Sequence, residues 1–435
     1  MENADNFAKI MIFHLFKNFQ QGAAALSGPV NTMNYTESEV IQFANEEDVK
    51  FIRLAFCDVF GKQKNISIMP SELPRAFSDG ISFDASAISG FGGAVRSDLF
   101  LRPDPSTLAV LPWRPEHGRV IRMYCDIINP DGSIFENDTR AILKRAVEDA
   151  AKHGYSFDIG SEIEFYLFKL DANGDPTGIP FDNAGYMDIA PEDKGENVRR
   201  EICLTLEQMG IRPESSHHEA GPGQNEIDFR YSDALSAADN AITFYNVVNV
   251  VAARNGLRVD FGPKPIKSRA GSGMHINFSI KTKEKKETVM SYVIAGLLDK
   301  IKEITIFLNP SEQSFARLGA YKAPGFITWS VENRSQLIRM PAANGDFKRA
   351  ELRSPDPTTN PYLAYTMLIY AGLYGIKKKL ALPAPTDINL FTADAETLAS
   401  YRRLPTRRSE AVQSCLDSTF VKEHLPESII QAYCR

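Results

Sequence analysis

Six residues with related donor chemistry recur through the middle of the chain: Glu162, Glu164, Glu219, Glu226, His275 and Glu351. Carboxylates joined by a single imidazole make a hard, oxygen-rich ligand set. With no thiolate among them, the set suits Mg2+ or Mn2+ rather than zinc or an iron–sulfur cluster. Gathered without cations, so many acids would raise one another's pKa values and cost stability. Around two divalent ions the same cluster becomes a clamp for phosphate oxygens. Arginines supply the other half of the chemistry. Arg317, Arg334, Arg339, Arg349 and Arg353 crowd around FITWS and the SPDP turn. Their guanidinium forks suit bidentate contacts to phosphate and carboxylate, and they can neutralise a transferring phosphoryl group. The combination points to phosphoryl transfer onto an acidic substrate.

Four segments that alternate strictly between polar and apolar residues must position these groups. In SEIEFYLF, Glu162 and Glu164 share one face, while Ile163, Phe165 and Leu167 share the other. In NEIDFR, Glu226 and Asp228 oppose Ile227 and Phe229; in GMHINFSI, His275, Asn277 and Ser279 oppose Met274, Ile276 and Phe278; in RAELR, Glu351 and Arg353 oppose Leu352. Side chains two apart on a strand point the same way, so a sheet of these strands presents an acidic, His-containing, Arg-studded face. Any one segment reads equally well as a solvent-facing strand. Four of them, interrupted by AGPGQ and RAGSG loops, favour a shared site. Other phosphate-handling signatures are missing: there is no GxxxxGK[ST], and Phe91–Gly93 lacks a strand–GxGxxG–helix context. Neither GxSxG nor HExxH occurs. In His217–His218–Glu219, adjacent side chains rarely converge on one ion. Glu219 therefore reads as the ligand, His217 and His218 read as loop or substrate-contacting residues, and a structural role is the favoured reading of His217.

The 435 residues are 43% hydrophobic and 24% charged, ordinary globular composition with room for two domains. A net charge of −6 argues against a broad nucleic-acid footprint. Five scattered cysteines without a CxxC pair fit a reducing cytoplasm. The most apolar run, Tyr362 to Ile376, follows Pro361 and is shorter than a membrane span, so it reads as a buried helix. Residues 1–32 contain IMIFHLF without a basic opening and long apolar core; they read as an N-terminal extension that folding does not need, not a secretion signal. Thr36 with Glu39 predicts a capped helix start. From Val49 to about Asp126 the pattern is of short strands: VKFIRLAFCDVFG, KNISIMP, STLAVLPW and VIRMYCDI. A connection near Phe135 and a helix from Arg140 to His153 follow.

The stretches FCDVFGKQKNISIMP, GSEIEFYLF, HHEAGPGQNEIDFRYSDAL, AGSGMHINFS, APGFITWSVENRSQLIRMP and RAELRSPDPTTNPYLA stand in one order. Through them, and over nearly its whole length from about Met33, the chain resembles the type I (bacterial-type) glutamine synthetases. The resemblance implies an α+β fold: a β-grasp-like domain over 33–135, then a catalytic domain over 136–435 with a curved antiparallel sheet flanked by helices. It implies ATP-dependent ligation of ammonia to the γ-carboxylate of glutamate through γ-glutamyl phosphate. It also implies a cytoplasmic homo-oligomer, a dodecamer of two hexameric rings, acting on small molecules and not on nucleic acid or membrane. Carried over residue by residue, Glu164, Glu219 and Glu226 would hold one ion, and Glu162, His275 and Glu351 the other. Arg334 would face the transferring phosphoryl group. Arg317, Arg353 and the Gly271 backbone would hold glutamate. Glu214, Asn277, Ser279, Arg339 and Arg349 fall at nucleotide-side positions. Asp58 would enter a neighbour's site and, near Tyr186, help capture and deprotonate ammonium.

Three positions depart from the family pattern. The flap reads RLGAYKAP in place of RLVPGYEAP, which puts Lys322 where a glutamate usually completes the ammonium pocket. Ala270 stands for the usual Asn before GSGMH, and Asn277 for the second His of HxH. The tyrosine loop that carries adenylylation control in some relatives is not recognisable. A changed flap leaves room for an organic amine, methylamine or a polyamine, as acceptor. A non-catalytic, nitrogen-sensing relative is the reading from another class, and the intact ligand positions weigh against it.

Overall fold

The computed structural model describes residues 35–92, 97–341 and 349–435, and the expectation for residues 1–32 lies outside them. Thr36 opens the first helix, Glu37–Glu46, with a capping box: its hydroxyl accepts from the Glu39 N–H, and the Glu39 carboxylate accepts from the Thr36 N–H at 2.7 Å. Six strands follow: β1 Val49–Cys57, β2 Gln63–Ile68, β3 Ile81–Asp84, β4 Asp98–Pro103, β5 Ala109–Val110 and β6 Arg119–Ile128. They form a sheet of order β2-β1-β6-β4-β3, with β5 on β6. Of these, β3 and β4 escape the sequence reading. They are short, and they flank the Gly-rich segment SGFGG that breaks any alternating pattern.

A ten-stranded sheet carries the rest. Its central path runs β14 (Trp329–Val331), β15 (Ile338–Met340), β16 (Ala350–Leu352), β13 (Met274–Lys281), β7 (Ser156–Leu170), β10 (Gln224–Phe229) and β9 (Pro213–His218). The edge pieces β8 (Pro176–Pro180), β11 (Ser232–Asp233) and β12 (Leu257–Asp260) also pair with β7. Every ladder is antiparallel except β14–β15. The four alternating segments become β7, β10, β13 and β16, with Ile163, Ile227, Met274, Ile276, Phe278 and Leu352 fully buried. Each such side chain contributes about 1.5–3 kcal/mol of burial free energy.

Helices Thr139–Lys152, Ala234–Arg254, Lys286–Leu308 and Pro361–Lys378 supply the buried partners. The last begins at an Asn360 cap with Pro361 in its first turn, where the missing N–H costs nothing. It crosses Lys286–Leu308 at a glycine contact so close that a Cβ on Gly375 would lie 2.0 Å from the Tyr292 carbonyl, and one on Gly296 would lie 2.1 Å from that of Ala371. Among the described residues no helix is long and apolar enough to cross a membrane.

The strand-rich first module is bolted to these helices by a buried charge network. Arg140 grips Asp239 with two parallel bonds, Nε to Oδ1 at 3.0 Å and Nη2 to Oδ2 at 2.9 Å. The same guanidinium reaches Asp104 and Asp126 from β4's exit and β6, at 2.9 and 3.3 Å. Tyr362 donates to Asp239 at 2.6 Å, and Arg122 of β6 donates to Thr243 at 3.1 Å. Asn34–Arg435 accordingly forms one unit.

Candidate active site

Strand register assembles the acid cluster. On β7, Glu162 stands opposite His275 of β13 on one side and Asp228 of β10 on the other. Glu164 stands opposite Glu226, which in turn faces His217 of β9. Asn277 and Arg339 both pair with Glu351 across β16. Directly opposed residues hold their Cβ atoms about 4.5–5.5 Å apart, and like charges so placed repel.

Three overlapping groups result, each with ligand atoms within 4.8 Å of one another: Glu162–His275–Glu351, His217–Glu219–Glu226 and Glu162–Glu226–Asp228. In the first, His275 Nδ1 lies 3.2 Å from Glu162 and 3.4 Å from Glu351. Glu351 is wholly buried between Arg339 Nη1, at 2.6 Å, and Arg353 Nη1. Burial pushes the Glu162 carboxyl up, but the His275 hydrogen bond and charge, with Asn277 and Arg353, outweigh it and bring the pKa down to about 2. Two of its neighbours move the other way. Burial and then the charge of Glu164 drive Glu226 well above the carboxylate range, and burial and then the charge of Glu162 lift Asp228 to about 6. Hard donors that repel one another in this way fit divalent cations, which would remove the repulsion.

Glu164 sits differently from its sequence neighbours. Its Oε2 accepts from Gln224 Nε2 and from the Gly273 N–H, both at 2.9 Å, so one of its two oxygens is already bonded within the protein. His217, set aside in the sequence reading, takes the place beside Glu219, with Nε2 at 3.2 Å from Oε1. Asp228 was visible as the next same-face position after Glu226. His217 carried no such signal, because its role comes from register across β9 and β10. A further acid–His group, Asp182–Asp193–His218, is self-satisfied. His218 meets Asp182 at 2.9 Å and the Glu219 carbonyl at 2.6 Å, while Arg199 closes on Asp193 at 2.5 Å. Burial works against the charged ring, but the Asp182 hydrogen bond and charge outweigh it and raise the His218 pKa, and these contacts brace the strand end that carries Glu219.

Beside Glu162 opens a cavity of about 210 Å³ whose walls include Glu214, Ser215, Asp228, Tyr231, Asn277 and Arg349. Among the described residues Asn277 Oδ1, Asp228 Oδ1, the Tyr231 hydroxyl and Arg349 Nε are buried there without a hydrogen-bond partner, so the walls are short of polar contacts. The nucleotide-side expectations Glu214, Asn277 and Arg349 thus converge. Arg339 instead engages Glu351, and Ser279 lies further along β13 opposite Asp158. Arg317 is buried and anchored to the Ser354 and Arg353 carbonyls at 2.7 and 3.3 Å, with Gly271 packed against its stem. Tyr186 is 46% exposed at the rim. Its hydroxyl is pushed up by burial and then by Glu219, and pulled back by exposed Arg334. Asp58 turns inward within this chain, accepting from the Phe60 and Lys62 N–H groups at 3.0 and 2.9 Å.

A sheet face of hard acids beside a cavity with Arg349 in its wall is an arrangement suited to binding divalent ions and phosphate. The "Glutamine synthetase, beta-Grasp domain" description matches residues 48–130 and "Glutamine synthetase, catalytic domain" matches residues 136–435. The chain belongs to the glutamine synthetase family. It is 44% identical to the glutamine synthetase of Clostridium saccharobutylicum, covering 92% of this chain and 93% of that one, and 45% identical to the Methanosarcina mazei enzyme, covering 92% of each. Among solved structures it superposes on the chain titled "GmaS/ADP complex-Conformation 1" with a TM-score of 0.82 and 27% identity, over 91% of this chain and 93% of that one.

Proposed function

We propose that the chain ligates ammonia to the γ-carboxylate of L-glutamate at the expense of ATP, through γ-glutamyl phosphate. The observation that carries the site assignment is the placement of Glu162 between His275 and Asp228, with Glu351 locked by two arginines. Glu162, His275 and Glu351 would hold one Mg2+ or Mn2+, and Glu219 and Glu226, with Glu164 or His217, a second. When bound, such ions polarise phosphate oxygens and offset their charge. The chain's own groups do the remainder. Arg349 and Glu214 flank the nucleotide cavity, with Asn277 beside them, while Ser279 and Arg339 complete that side of the site. Arg317, Arg353 and the Gly271 backbone receive glutamate. Arg334, exposed at the rim, supplies positive charge for the phosphoryl group. Phosphorylation replaces oxide with phosphate as the leaving group before the amine attacks.

Division into a β-grasp-like domain over 33–135 and a catalytic domain over 136–435 accords with the two family matches. Assembly into a dodecamer of two hexameric rings, with Asp58 completing a neighbour's site beside Tyr186, accords with the exposure of Phe51 and Phe60 on the module that carries Asp58, at 49% and 40%. A cytoplasmic setting accords with five free thiols. The test is phosphate release from ATP, Mg2+ and glutamate, with ammonium compared against a panel of organic amines. Ammonium-dependent release supports the reaction, and release with organic amines alone overturns it.

A further inference from the structure

The flap lysine has a specific address. Lys322 Nζ lies 4.4 Å from the centroid of the Tyr186 ring, a cation–π distance. That ring packs perpendicular to His217, with centroids 5.4 Å apart and planes at 90°, and His217 in turn bonds Glu219 at 3.2 Å. An ammonium group thus rests on an aromatic face at the lip of the acid cluster. Two contacts latch the flap in that position. The Tyr321 hydroxyl donates to the Ser268 carbonyl at 2.5 Å, and Lys264 Nζ sits 4.1 Å over the Tyr321 ring while donating to the Arg269 carbonyl at 2.5 Å. Tyr321 adopts a left-handed backbone conformation with φ of 54°, which turns consecutive side chains to opposite sides: Tyr321 toward the 264–270 loop, Lys322 toward Tyr186. The conformation is uncommon for an aromatic residue, and the latch is what holds it.

We propose that Lys322 is a specificity-determining residue of the amine site: a tethered ammonium that occupies the cation-binding face of Tyr186 and competes there with the incoming ammonium ion. The inference rests on the ligase reading above. A primary alkylammonium and NH4+ share charge and hydrogen-bonding capacity, so a ring face beside carboxylates that attracts one attracts the other. With the lysine in place, free ammonium meets a site already neutralised. The pocket therefore admits its acceptor either after Lys322 swings out or as uncharged ammonia, which owes nothing to the ring. Larger cationic amines face both the charge and the bulk of the side chain.

The experiment compares Lys322→Met, which keeps length and loses charge, with Lys322→Arg, which keeps charge. In steady-state assays the methionine variant is expected to lower the KM for ammonium about threefold, the scale of an exposed cation–π contact, with the KM for ATP unmoved and the arginine variant like the parent. A second readout needs no turnover: the melting temperature in ammonium chloride against sodium chloride at equal ionic strength. An ammonium-specific rise in the methionine variant alone supports the competition. Equal responses in all three proteins, or an arginine variant that behaves like methionine, overturn it. A parent protein inert toward ammonium in the kinetic arm would count against the reaction, and the melting arm would still decide the role of Lys322.

Discussion

Glu162 and Asp228 stand directly opposite one another on β7 and β10, yet their carboxyl groups are driven apart, one to about 2 and the other to about 6. The asymmetry has a local cause. His275 and Asn277 reach Glu162 from the other side, whereas at Asp228 burial and the charge of Glu162 outweigh the Ser215 hydrogen bond.

For the metal-free protein this fixes a pH dependence. The folded Asp228 pKa exceeds its ordinary value of 3.8, so the folded state holds the proton longer than the unfolded chain. The stability this group permits is full below pH 3.8 and is lost as pH rises through 6. Asp228→Asn is therefore expected to raise the melting temperature at pH 7.5 in EDTA and to leave it nearly unchanged at pH 4. Equal gains at both pH values would contradict the assignment.

Divalent cations should act on the same repulsion. Mg2+ or Mn2+ at a hundred times its dissociation constant is expected to stabilise the fold by about 2.7 kcal/mol, read as a rise in melting temperature that EDTA reverses. Glu351→Ala should remove most of that rise and reduce ATP turnover at least about a hundredfold. Because Arg339 and Arg353 would then be buried unpaired, Glu351→Gln, which keeps the shape, separates lost ligation from lost folding. Normal turnover in either variant would defeat the metal assignment.

Arg140 offers a stability test far from the chemistry. Its removal leaves Asp239, Asp104 and Asp126 without their shared cation in a buried setting, and Arg140→Met is expected to cost about 3–5 kcal/mol in urea unfolding. Pairing it with Asp239→Asn in a double-mutant cycle should recover part of the loss, since the two residues share one network. Strict additivity would mean that the pair contributes independently.

The glycine crossing of the two long helices predicts an overpacking defect. Gly375→Ala places a methyl 2.0 Å from the Tyr292 carbonyl, so the helices must separate. A loss of about 1–3 kcal/mol is expected by denaturant titration. Alanine's better helix propensity, about 1 kcal/mol, works in the opposite direction and sets the floor.

Much of the site was legible because the strands β7, β10, β13 and β16 alternate so cleanly that their acids and apolar residues separate by parity alone. Parity says which face a residue takes but not what stands across from it. That is why His217 was set aside although it lies beside Glu219; the grouping of Glu164 with Glu219 and Glu226 came from the family resemblance instead. The Thr36 cap and the buried helix after Pro361 were legible from local chemistry. Strands β3 and β4 were not: four and six residues beside a glycine-rich segment leave too little pattern to read. The Lys322–Tyr186 contact joins residues that no periodicity relates.

The Tyr433 hydroxyl donates to the Val59 carbonyl at 3.0 Å across a sequence separation of 374 residues, and its ring lies 5.2 Å from Phe60. The loop that presents Asp58 is thus finished by a residue made long after it. At about 5–20 residues per second of synthesis, the Val59 carbonyl waits roughly 20–75 s for its partner. The first module can collapse around its own strands in that interval, but the geometry of the Asp58 loop belongs to the completed chain. The acid cluster, whose last member Glu351 precedes Tyr433 by 82 residues, is therefore complete in sequence before the brace that sets this loop, which arrives with helix Glu427–Cys434.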